Sequence, residues 1–501
     1  MRSKNVLERA RDEGLALTYD DVRLRTGFAE VMPEDVDIGS NFSRNVGLKI
    51  PIVGAAMDTV TEYRLAIELA KLGGMGVIHR SLSPSEQASN VSKVKHHLNG
   101  LIEKPIYILE SETVSEVLSR RESKGYSFHS YPVLGSEGNL VGIVTRNDFE
   151  FCDNDSSSIG DIMSTELVTS PENTSLSMAY DIMRMGKKKI LPLVNGGGEI
   201  VGMYVYSDVK RIKTRSAEKY NLDEGGQLQV AAAVGVGEEA IERVELLTEK
   251  KVDVIVIDTA HGDTKSVVDT LLEIKRNYSN LDVVVGNVSV GESAKRLADA
   301  GADGIKVGQG PGTICTTRMI AGIGRPQVSA IYDCAKSLEG YEIPICADGG
   351  LRYSGDIPIA IAAGAHSVMM GSMLAGTDEA PGEMVFFQGR QWKRYRGMGS
   401  LSAMEESSAS RERYSQEGNG KNQMIPEGIE GLVSYKGRLE DVVFQYVGGL
   451  KRGMGYVGTN SIKELREKGD FDRITTAGFS ESHPHDIKIT GDSPNYRGEE
   501  R

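Results

Sequence analysis

The 501-residue sequence has few cysteines, one tryptophan and no long apolar run. Its four cysteines have neither paired nor metal-type spacing, which argues against a disulfide framework. No stretch approaches the roughly 20 apolar residues of a membrane span, and the charged N-terminus MRSKNVLERARDEG lacks the apolar core of a signal peptide. The net charge of −13 also lacks the basic excess of nucleic-acid-binding proteins. We therefore expect a cytoplasmic protein that binds neither membranes nor nucleic acids.

Short apolar runs are present in a regular pattern. With 39% apolar and 26% charged residues, the chain has the composition of a large globular protein. Eight apolar runs alternate with amphipathic stretches, which indicates βα units and a parallel sheet. The runs are 52–56, 75–79, 229–234, 252–258, 282–287, 303–308, 344–350 and 367–372. Eight such units predict an α/β fold of the TIM-barrel type rather than an open sheet.

A duplicated segment separates the second and third of these units. Residues 130–149, SYPVLGSEGNLVGIVTRNDF, match residues 190–209, ILPLVNGGGEIVGMYVYSDV, at an offset of 60. Such a repeat indicates two units that pack on each other, and it resembles a tandem pair of CBS modules over about 94–212. This resemblance implies a purine nucleotide of the ATP or GTP type at the pair, with Asp208 near a ribose. A scaffolding pair without a ligand is the alternative.

Unusual residues follow the predicted strands, at the barrel edge where active sites of this fold lie. Asp258 and Asn287 end the fourth and fifth runs, and the loop GQGPGTICTTR (308–318) follows the sixth. Glycines and a hydroxyl after the last two runs, among them Gly350, Gly371 and Ser372, predict a phosphate site. Each feature alone has a simpler explanation, such as a helix cap or a turn.

Cys315 lies in this glycine-rich loop, seven residues beyond a strand end. Most free cysteines are small buried residues, which is the alternative here. Its position over the barrel mouth instead favours a nucleophile, because a thiolate attacks an electron-poor carbon well. We therefore predict covalent catalysis by Cys315.

Several motifs together resemble the IMP dehydrogenase and GMP reductase family over nearly the whole chain. They are LTYDDVRL (17–24), GAAMDTVTE (54–62), GQGPGTICTTR, ADGGLRYSGD (347–356), YRGMGSLSAM (395–404), PEGIEG (426–431) and ESHPHD (481–486). The resemblance implies NAD-dependent oxidation of IMP to XMP, with Cys315 attached to the purine. It also implies a catalytic barrel of residues 1–93 and 213–501 around the inserted pair.

The resemblance further assigns roles to site residues. Asp348 would hold the ribose of IMP, and the phosphate would contact Thr313, Gly350, Gly371, Ser372 and Tyr395. Gly397, Met398, Gly399 and Glu427 would contact the purine. Asp258, Asn287, Gly308 and Gly310 would serve NAD, with Thr317 near the reacting ring.

Hydrolysis of the intermediate would use a mobile flap at about 400–435. Its polar, glycine-containing sequence EESSASRERYSQEGNGKNQM is typical of a movable loop. Arg413 and Tyr414 match the family's catalytic pair, although a solvated arginine is the simpler interpretation because its pKa exceeds 12. Glu427 with Thr317 would offer a secondary route for activating water.

A monovalent cation, K⁺, is also implied, held by backbone carbonyl groups of Gly310, Gly312 and Cys315. Glu481, Ser482 and His483 from a neighbouring subunit would complete this site, which implies a homotetramer, with an octamer as the alternative. The chain departs from the family pattern at Gln309, Thr313 and Arg325. The resemblance therefore does not determine its cation affinity or the mobility of the loop.

Three other interpretations remain open. A GMP reductase would use NADPH and would not need the Arg413–Tyr414 pair. A catalytically idle nucleotide sensor would have no reason to retain Cys315 and Asp348 together with the Arg413–Tyr414 pair. An unrelated phosphosugar enzyme would leave the cysteine loop unexplained.

Overall fold

The computed structural model describes residues 5–98, 101–102, 105–124, 128–213, 218–416, 423–490 and 493–496. The chain forms two compact units. One comprises Met1–Lys95, Lys219–Asn221 and Leu228–Arg501, and the other comprises His96–Glu218 and Leu222–Gln227. The second unit therefore interrupts the first, a few residues from the boundaries of 94 and 212 that the sequence suggested.

The larger unit is a closed barrel of eight parallel strands. The strands are β1 (Ile52–Gly54), β2 (Met75–Ile78), β3 (Ala231–Val234), β4 (Val254–Asp258), β5 (Asp282–Val288), β6 (Gly304–Val307), β7 (Ile345–Asp348) and β8 (Ser367–Met370). Each lies within one of the eight predicted runs apart from a one-residue extension of β5, so the predicted α/β barrel is confirmed. The strands are short and rich in Val, Ile and Ala because both faces are covered.

Helices surround the barrel and bury their apolar faces against it. They are α1 (Tyr63–Lys71), α2 (Pro84–Lys95), α3 (Gly237–Glu249), α4 (Lys265–Asn277), α5 (Gly291–Asp299), α6 (Gln327–Ser337), α7 (Asp356–Ala362) and α8 (Leu439–Val457). In α1, for example, Leu65 and Leu69 are fully buried at the i, i+4 spacing of one helix face. The last helix, α8, packs against both α7 and α1 and so closes the ring.

The remaining helices and strands of this unit are additional to the barrel strands and the helices around them. The helical ones are Val6–Asp12, Tyr19–Asp21, Thr317–Ile320, Ser372–Ala375, Leu401–Glu406, Ser408–Arg413, Ile462–Lys468 and Thr476–Glu481. Val22–Leu24 pairs with Phe471–Arg473, and Ser40–Asn41 pairs with Gly47–Leu48. An antiparallel sheet of Met384–Phe387, Arg390–Arg396 and Glu430–Ser434 lies between β8 and α8 in sequence. Its second strand precedes the predicted flap, and its third strand lies at the carboxyl end of the flap.

The inserted unit contains two similar three-stranded sheets. One has the strands Ile108–Leu109, Tyr131–Leu134 and Leu140–Val144, and the other has Ser170–Pro171, Ile190–Val194 and Ile200–Val205. Each sheet has its own apolar core. The helices are Val114–Lys124, Arg146–Glu150, Ile159–Ile162, Leu176–Gly186 and Tyr206–Lys213.

The repeated Val-Gly pair of this unit has a packing reason. A Cβ atom at Gly142 would overlap Met163, and one at Gly202 would lie 3.0 Å from Leu101 Cδ1. The two hairpins also share a register shift, between Val133 and Leu134 in one and at the equivalent position 60 residues later in the other. The duplication seen in the sequence is therefore present in the geometry.

None of the helices in the described ranges combines the length and apolar character needed to cross a membrane. This matches the absence of a long apolar run in the sequence.

Candidate active site

A cavity of about 500 Å³ opens at the carboxyl ends of the barrel strands. Most of the residues predicted for catalysis and binding line it. They are Asp258, Asn287, Gly308, Gly310, Gly312, Thr313, Cys315, Thr317, Asp348, Gly350, Gly371, Ser372, Tyr395, Gly397, Met398, Arg413, Tyr414 and Glu427. Residues from five strand ends and from the flap therefore meet in one site.

The cysteine loop bends sharply as it leaves β6. Gly308 and Gly310 have positive φ angles of 156° and 79°, which a side chain would disfavour. The turn brings Cys315 into the cavity, where its Sγ lies 3.2 Å from the hydroxyl oxygen of Thr317. Cys315 is half-buried, whereas Cys346 is fully buried, and this burial raises the pKa of the Cys346 thiol to about 12. The geometry thus favours Cys315 over Cys346 as a reactive thiol.

A second segment fixes the cysteine loop from the other side. The backbone amide of Thr316 donates to the carbonyl of Glu427 at 3.0 Å, and Ile429 donates to Ile314 at the same distance. These bonds hold the PEGIEG segment against the loop, so the side chain of Glu427 lines the cavity beside Cys315 and Thr317.

Hydroxyl groups and bare backbone meet at the ends of β7 and β8. The hydroxyl oxygens of Thr313 and Ser372 are 3.1 Å apart, although 59 residues separate them in sequence. A Cβ at Gly371 would lie 2.6 Å from the Tyr395 hydroxyl, so only glycine leaves room for that hydroxyl at the cavity wall. Burial raises the pKa of Tyr395, which keeps it a neutral donor. Neutral donors around exposed amides suit a phosphate group.

A buried lysine connects the two predicted ribose-binding carboxylates. Lys306 points inward from β6 and is 1% exposed. Its Nζ lies 2.9 Å from Asp258 Oδ1 and 2.6 Å from Asp348 Oδ2. It also contacts the side-chain oxygen of Asn287, whose amide donates to Asp348 Oδ2 at 2.9 Å.

Sequence reasoning missed Lys306, although a signal was present. The run DGIKVG places one lysine inside an otherwise apolar barrel strand, where a charge requires a partner. Its contacts hold Asp258 and Asp348 at fixed positions on the cavity floor.

The flap residues Arg413 and Tyr414 are folded into the same cavity. The guanidinium group of Arg413 pairs with Asp258, and the Arg413 carbonyl accepts a hydrogen bond from Ala260 N at 3.3 Å. Burial is the main cause of the lowered pKa of Arg413, and burial also raises the pKa of Tyr414. The ring of Tyr414 occupies the space that a side chain at Gly399 would need. Gly399 itself lies behind this ring and does not line the cavity.

The predicted cation ligands are brought together only in part. Gly310, Gly312 and Cys315 share the loop at the cavity wall. Glu481 ends the helix Thr476–Glu481, and His483 packs against Tyr353, Phe479 and Tyr496. Within the residues described for this one chain, Glu481, Ser482 and His483 do not line the cavity.

Two of the three departures from the family pattern make specific contacts. The side-chain amide of Gln309 contacts His261 Nδ1 at 3.1 Å and accepts from Ser289 Oγ at 2.6 Å. Arg325 donates to Asp333 Oδ2 at 2.8 Å and so ties the end of the cysteine loop to α6. The methyl group that distinguishes Thr313 from serine has no structural explanation.

Comparison with known proteins identifies the family. The family model described as "IMP dehydrogenase / GMP reductase domain" matches residues 16–485. The chain belongs to this family. The resemblance stated from the motifs is therefore confirmed.

Relatives with curated names cover nearly the whole chain. Inosine-5′-monophosphate dehydrogenase of Aquifex aeolicus is 51% identical over 484 residues, which are 96% of this chain and 97% of the relative. The protein of the same name from Staphylococcus aureus is 46% identical over 485 residues, 96% and 98% of the two chains. Among solved structures, a variant of GMP reductase from Trypanosoma brucei in complex with guanosine 5′-monophosphate aligns with a TM-score of 0.87 at 38% identity. That alignment covers 94% of this chain and 98% of the reductase.

Proposed function

We propose that the protein is an IMP dehydrogenase that oxidises IMP to XMP with NAD in guanine nucleotide biosynthesis. The observation that carries this proposal is the placement of Cys315 between a phosphate cradle and the Arg413–Tyr414 pair in one cavity. The dehydrogenase names of the two relatives support it.

The cavity floor can orient IMP by three kinds of contact. Thr313 and Ser372 offer hydroxyl groups to the phosphate, and the carboxylate of Asp348 suits the ribose hydroxyls. The backbone around Gly397 and Met398 leaves a wall for the flat purine. Binding both ends of the nucleotide in this way places the purine C2 atom over Cys315, which turns the attack into an intramolecular step.

The first chemical step forms a bond between Cys315 Sγ and C2. The thiolate adds its electron pair, and C2 then loses its hydrogen as a hydride. NAD supplies the acceptor for that hydride. The purine is left attached to Cys315 as a thioimidate, which divides one difficult substitution into two easier steps.

In the second step water attacks C2 and the C–S bond breaks. Arg413 takes the proton of the water, and Tyr414 orients the water or the guanidinium group. Burial lowers the pKa of Arg413, which makes its neutral form more accessible than in solvent. The thiolate is then regenerated and XMP leaves.

The residues proposed for NAD suit a dinucleotide. Asp258 offers a carboxylate for a ribose diol at the cavity rim, and Asn287, Gly308 and Gly310 line the wall beside Cys315. A Cβ at Gly308 would overlap the carbonyl oxygen of Asp348, so the backbone is bare where a flat ring would approach. In the observed conformation Arg413 contacts the carboxylate of Asp258. We therefore infer that NADH leaves before Arg413 enters.

The donors proposed for K⁺ on the cysteine loop are backbone carbonyl oxygens, which are the ligands that this ion takes. The backbone carbonyl oxygens of Gly310, Gly312 and Cys315 belong to one tight loop, and they would coordinate the ion from one side. Completion of the site by a neighbouring subunit supports a homotetramer or a larger assembly.

The inserted unit has the proposed regulatory role. The duplicated inserted unit fits a CBS pair that binds a purine nucleotide, with Asp208 in the helix Tyr206–Lys213.

The four cysteines are unpaired, as expected in the reducing cytoplasm.

The alternative activity is that of a GMP reductase, which the structural similarity to the Trypanosoma brucei enzyme favours. That reaction consumes NADPH and releases ammonia, so it has no hydrolysis step for Arg413 to assist. The burial of the Arg413–Tyr414 pair in the cavity supports the dehydrogenase instead.

Absorbance at 340 nm distinguishes the two activities. Purified protein with IMP, NAD and K⁺ should produce NADH, and the Cys315→Ala variant should not. Consumption of NADPH with GMP, without NADH formation from IMP, would contradict the dehydrogenase. Silence in both assays would favour a nucleotide sensor.

A further inference from the structure

Glu412, the residue before the Arg413–Tyr414 pair, is buried at the barrel rim. Its Oε2 accepts a hydrogen bond from Arg80 Nη1 at 2.5 Å, and its Oε1 accepts one from the backbone amide of Val236 at 3.0 Å. The side chains of Arg80 and Glu412 are 7% and 11% exposed. Arg80 follows β2 and Val236 follows β3, so one carboxylate connects the flap to two barrel loops.

The surroundings make this carboxylate hard to replace. Arg243 packs beside the pair and donates to Gln87 Oε1 at 3.0 Å. Arg80, Arg243 and Arg413 therefore gather around Glu412, and the charge of Arg80 also contributes to the lowered pKa of Arg413. A neutral residue at 412 would leave the buried cation of Arg80 without its counter-charge, which is costly in a water-poor site.

The position of Glu412 controls where Arg413 lies. Adjacent residues share a peptide unit, so anchoring the side chain of Glu412 over β2 and β3 directs the next residue toward β4. There the Arg413 carbonyl accepts from Ala260 N, and its guanidinium group reaches Asp258. The flap is thus attached to the rim at Glu412 and at Arg413.

We propose that Glu412 is a positioning residue that holds the flap closed through Arg80 and so sets the balance between hydride transfer and hydrolysis. This inference rests on the proposed function. When the ion pair forms, Arg413 lies where it can take a proton from water; when the pair is broken, the open flap leaves Asp258 accessible. The role is distinct from proton transfer, because Glu412 does not line the cavity.

Three variants break the pair in different ways. Glu412→Gln keeps the shape and the acceptor for Val236 but removes the charge, and Arg80→Gln removes the partner charge. Gly235→Ala leaves both charges but puts a Cβ where it would overlap Glu412 Oε1 and crowd Arg80 Nη1. Glu339→Gln is the matched control, since Glu339 forms an exposed ion pair with Lys336 outside the flap.

Stopped-flow absorbance at 340 nm with IMP, NAD and K⁺ separates the two steps. We expect each of the three variants to give the wild-type rate and amplitude of the first NADH burst. Steady-state turnover should fall about tenfold, as expected for loss of one charged hydrogen bond. Acid quench should show more nucleotide covalently bound to Cys315, and the Glu412→Gln and Arg80→Gln effects should not add in the double variant. Glu339→Gln should change turnover less than twofold.

Two results would overturn the inference. Turnover of Glu412→Gln equal to that of Glu339→Gln would show that the pair does not control the flap. Equal losses in the burst and in turnover, together with a lower melting temperature, would show a structural role only. A wild-type enzyme that forms no NADH from IMP and NAD would instead reject the proposed function itself, before any variant is compared.

Discussion

The guanidinium group of Arg413 pairs with the carboxylate of Asp258 at the carboxyl end of β4. Asp258 is also the residue proposed for a ribose of NAD, so one carboxylate has two candidate partners. Because both would use the same carboxylate, we expect the closed flap and bound NAD to exclude each other. The two proposed reactions would then follow one another without rearrangement of the cavity floor.

Hydrolysis should accelerate with pH. In the proposed mechanism the active form of Arg413 is the neutral one, and burial lowers its pKa, so each added pH unit below that pKa increases the neutral fraction about tenfold. We expect the turnover number of the wild type to rise with pH above neutrality when hydrolysis limits the rate. Steady-state kinetics at saturating IMP and NAD measure this, and Arg413→Ala should have low turnover without the rise. An unchanged pH slope in Arg413→Ala would assign the base elsewhere.

Replacement of Cys315 by alanine should abolish turnover, by about a thousandfold or more, because no bond to C2 can form. Binding of IMP, measured by calorimetry, should remain within a few-fold because the phosphate and ribose contacts persist. Cys152→Ser, a half-exposed thiol in the inserted unit, is the control and should leave turnover unchanged. Turnover in the Cys315→Ala variant would eliminate the covalent mechanism.

Lys306→Met should destabilise the barrel by about 3–5 kcal/mol, because it removes one partner from a buried ion network. Asp258 and Asp348 would be left without the cation between them. The midpoint of urea unfolding measures the loss, and the affinity for IMP should fall with it. Lys265→Met, which breaks an exposed pair with Asp269, should cost less than about 1 kcal/mol. Equal effects of the two substitutions would contradict the network.

His366 should make the protein less stable in acid. Its Nδ1 accepts a hydrogen bond from Ile345 N at 3.0 Å, and burial lowers its pKa to about 3. The unfolded chain, with a histidine pKa near 6.5, therefore binds one more proton between those values. From pH 8 to pH 5 this costs about 2 kcal/mol of unfolding free energy. Urea unfolding of His366→Asn at both pH values should show a loss of unfolding free energy that is smaller by this amount. A loss identical to that of the wild type would contradict the buried neutral imidazole.

The barrel could be predicted from the sequence because its signal is local. A buried parallel strand is a short apolar run, and each of the eight runs contains one strand. The predicted edges of the strands lie close to the observed ones. DVVVGN, for example, continues one residue further as β5, to Val288.

The ion pairs of the site could not be predicted, since they join residues far apart in the chain. Arg80 and Glu412 are 332 positions apart, and Lys306 and Asp348 are 42 apart. Arg80 and Glu412 are each compatible with a solvated surface position. Lys306 does signal a buried charge, but only the closed barrel shows which partners it has. The flap arginine had the same ambiguity, and its burial beside Asp258 is evident only in the structure.

The cysteine loop is intermediate between these cases. Its glycines and its place after a strand could be read directly, and the loop does enter the cavity. Its attachment to the segment around Glu427 depends on backbone pairing between parts of the chain that are distant in sequence, for which no local pattern exists.

Another contact of the flap concerns how this region can evolve. The side-chain amide of Gln416 donates to the carbonyl of Ile425 at 2.7 Å and accepts from the amide of Ile425 at the same distance. These two bonds join Gln416 to Ile425 within the flap, on the carboxyl side of the catalytic pair. A change of chain length between these two positions therefore need not move Arg413 or Tyr414. We expect a reporter peptide grafted there to leave the catalytic pair in place.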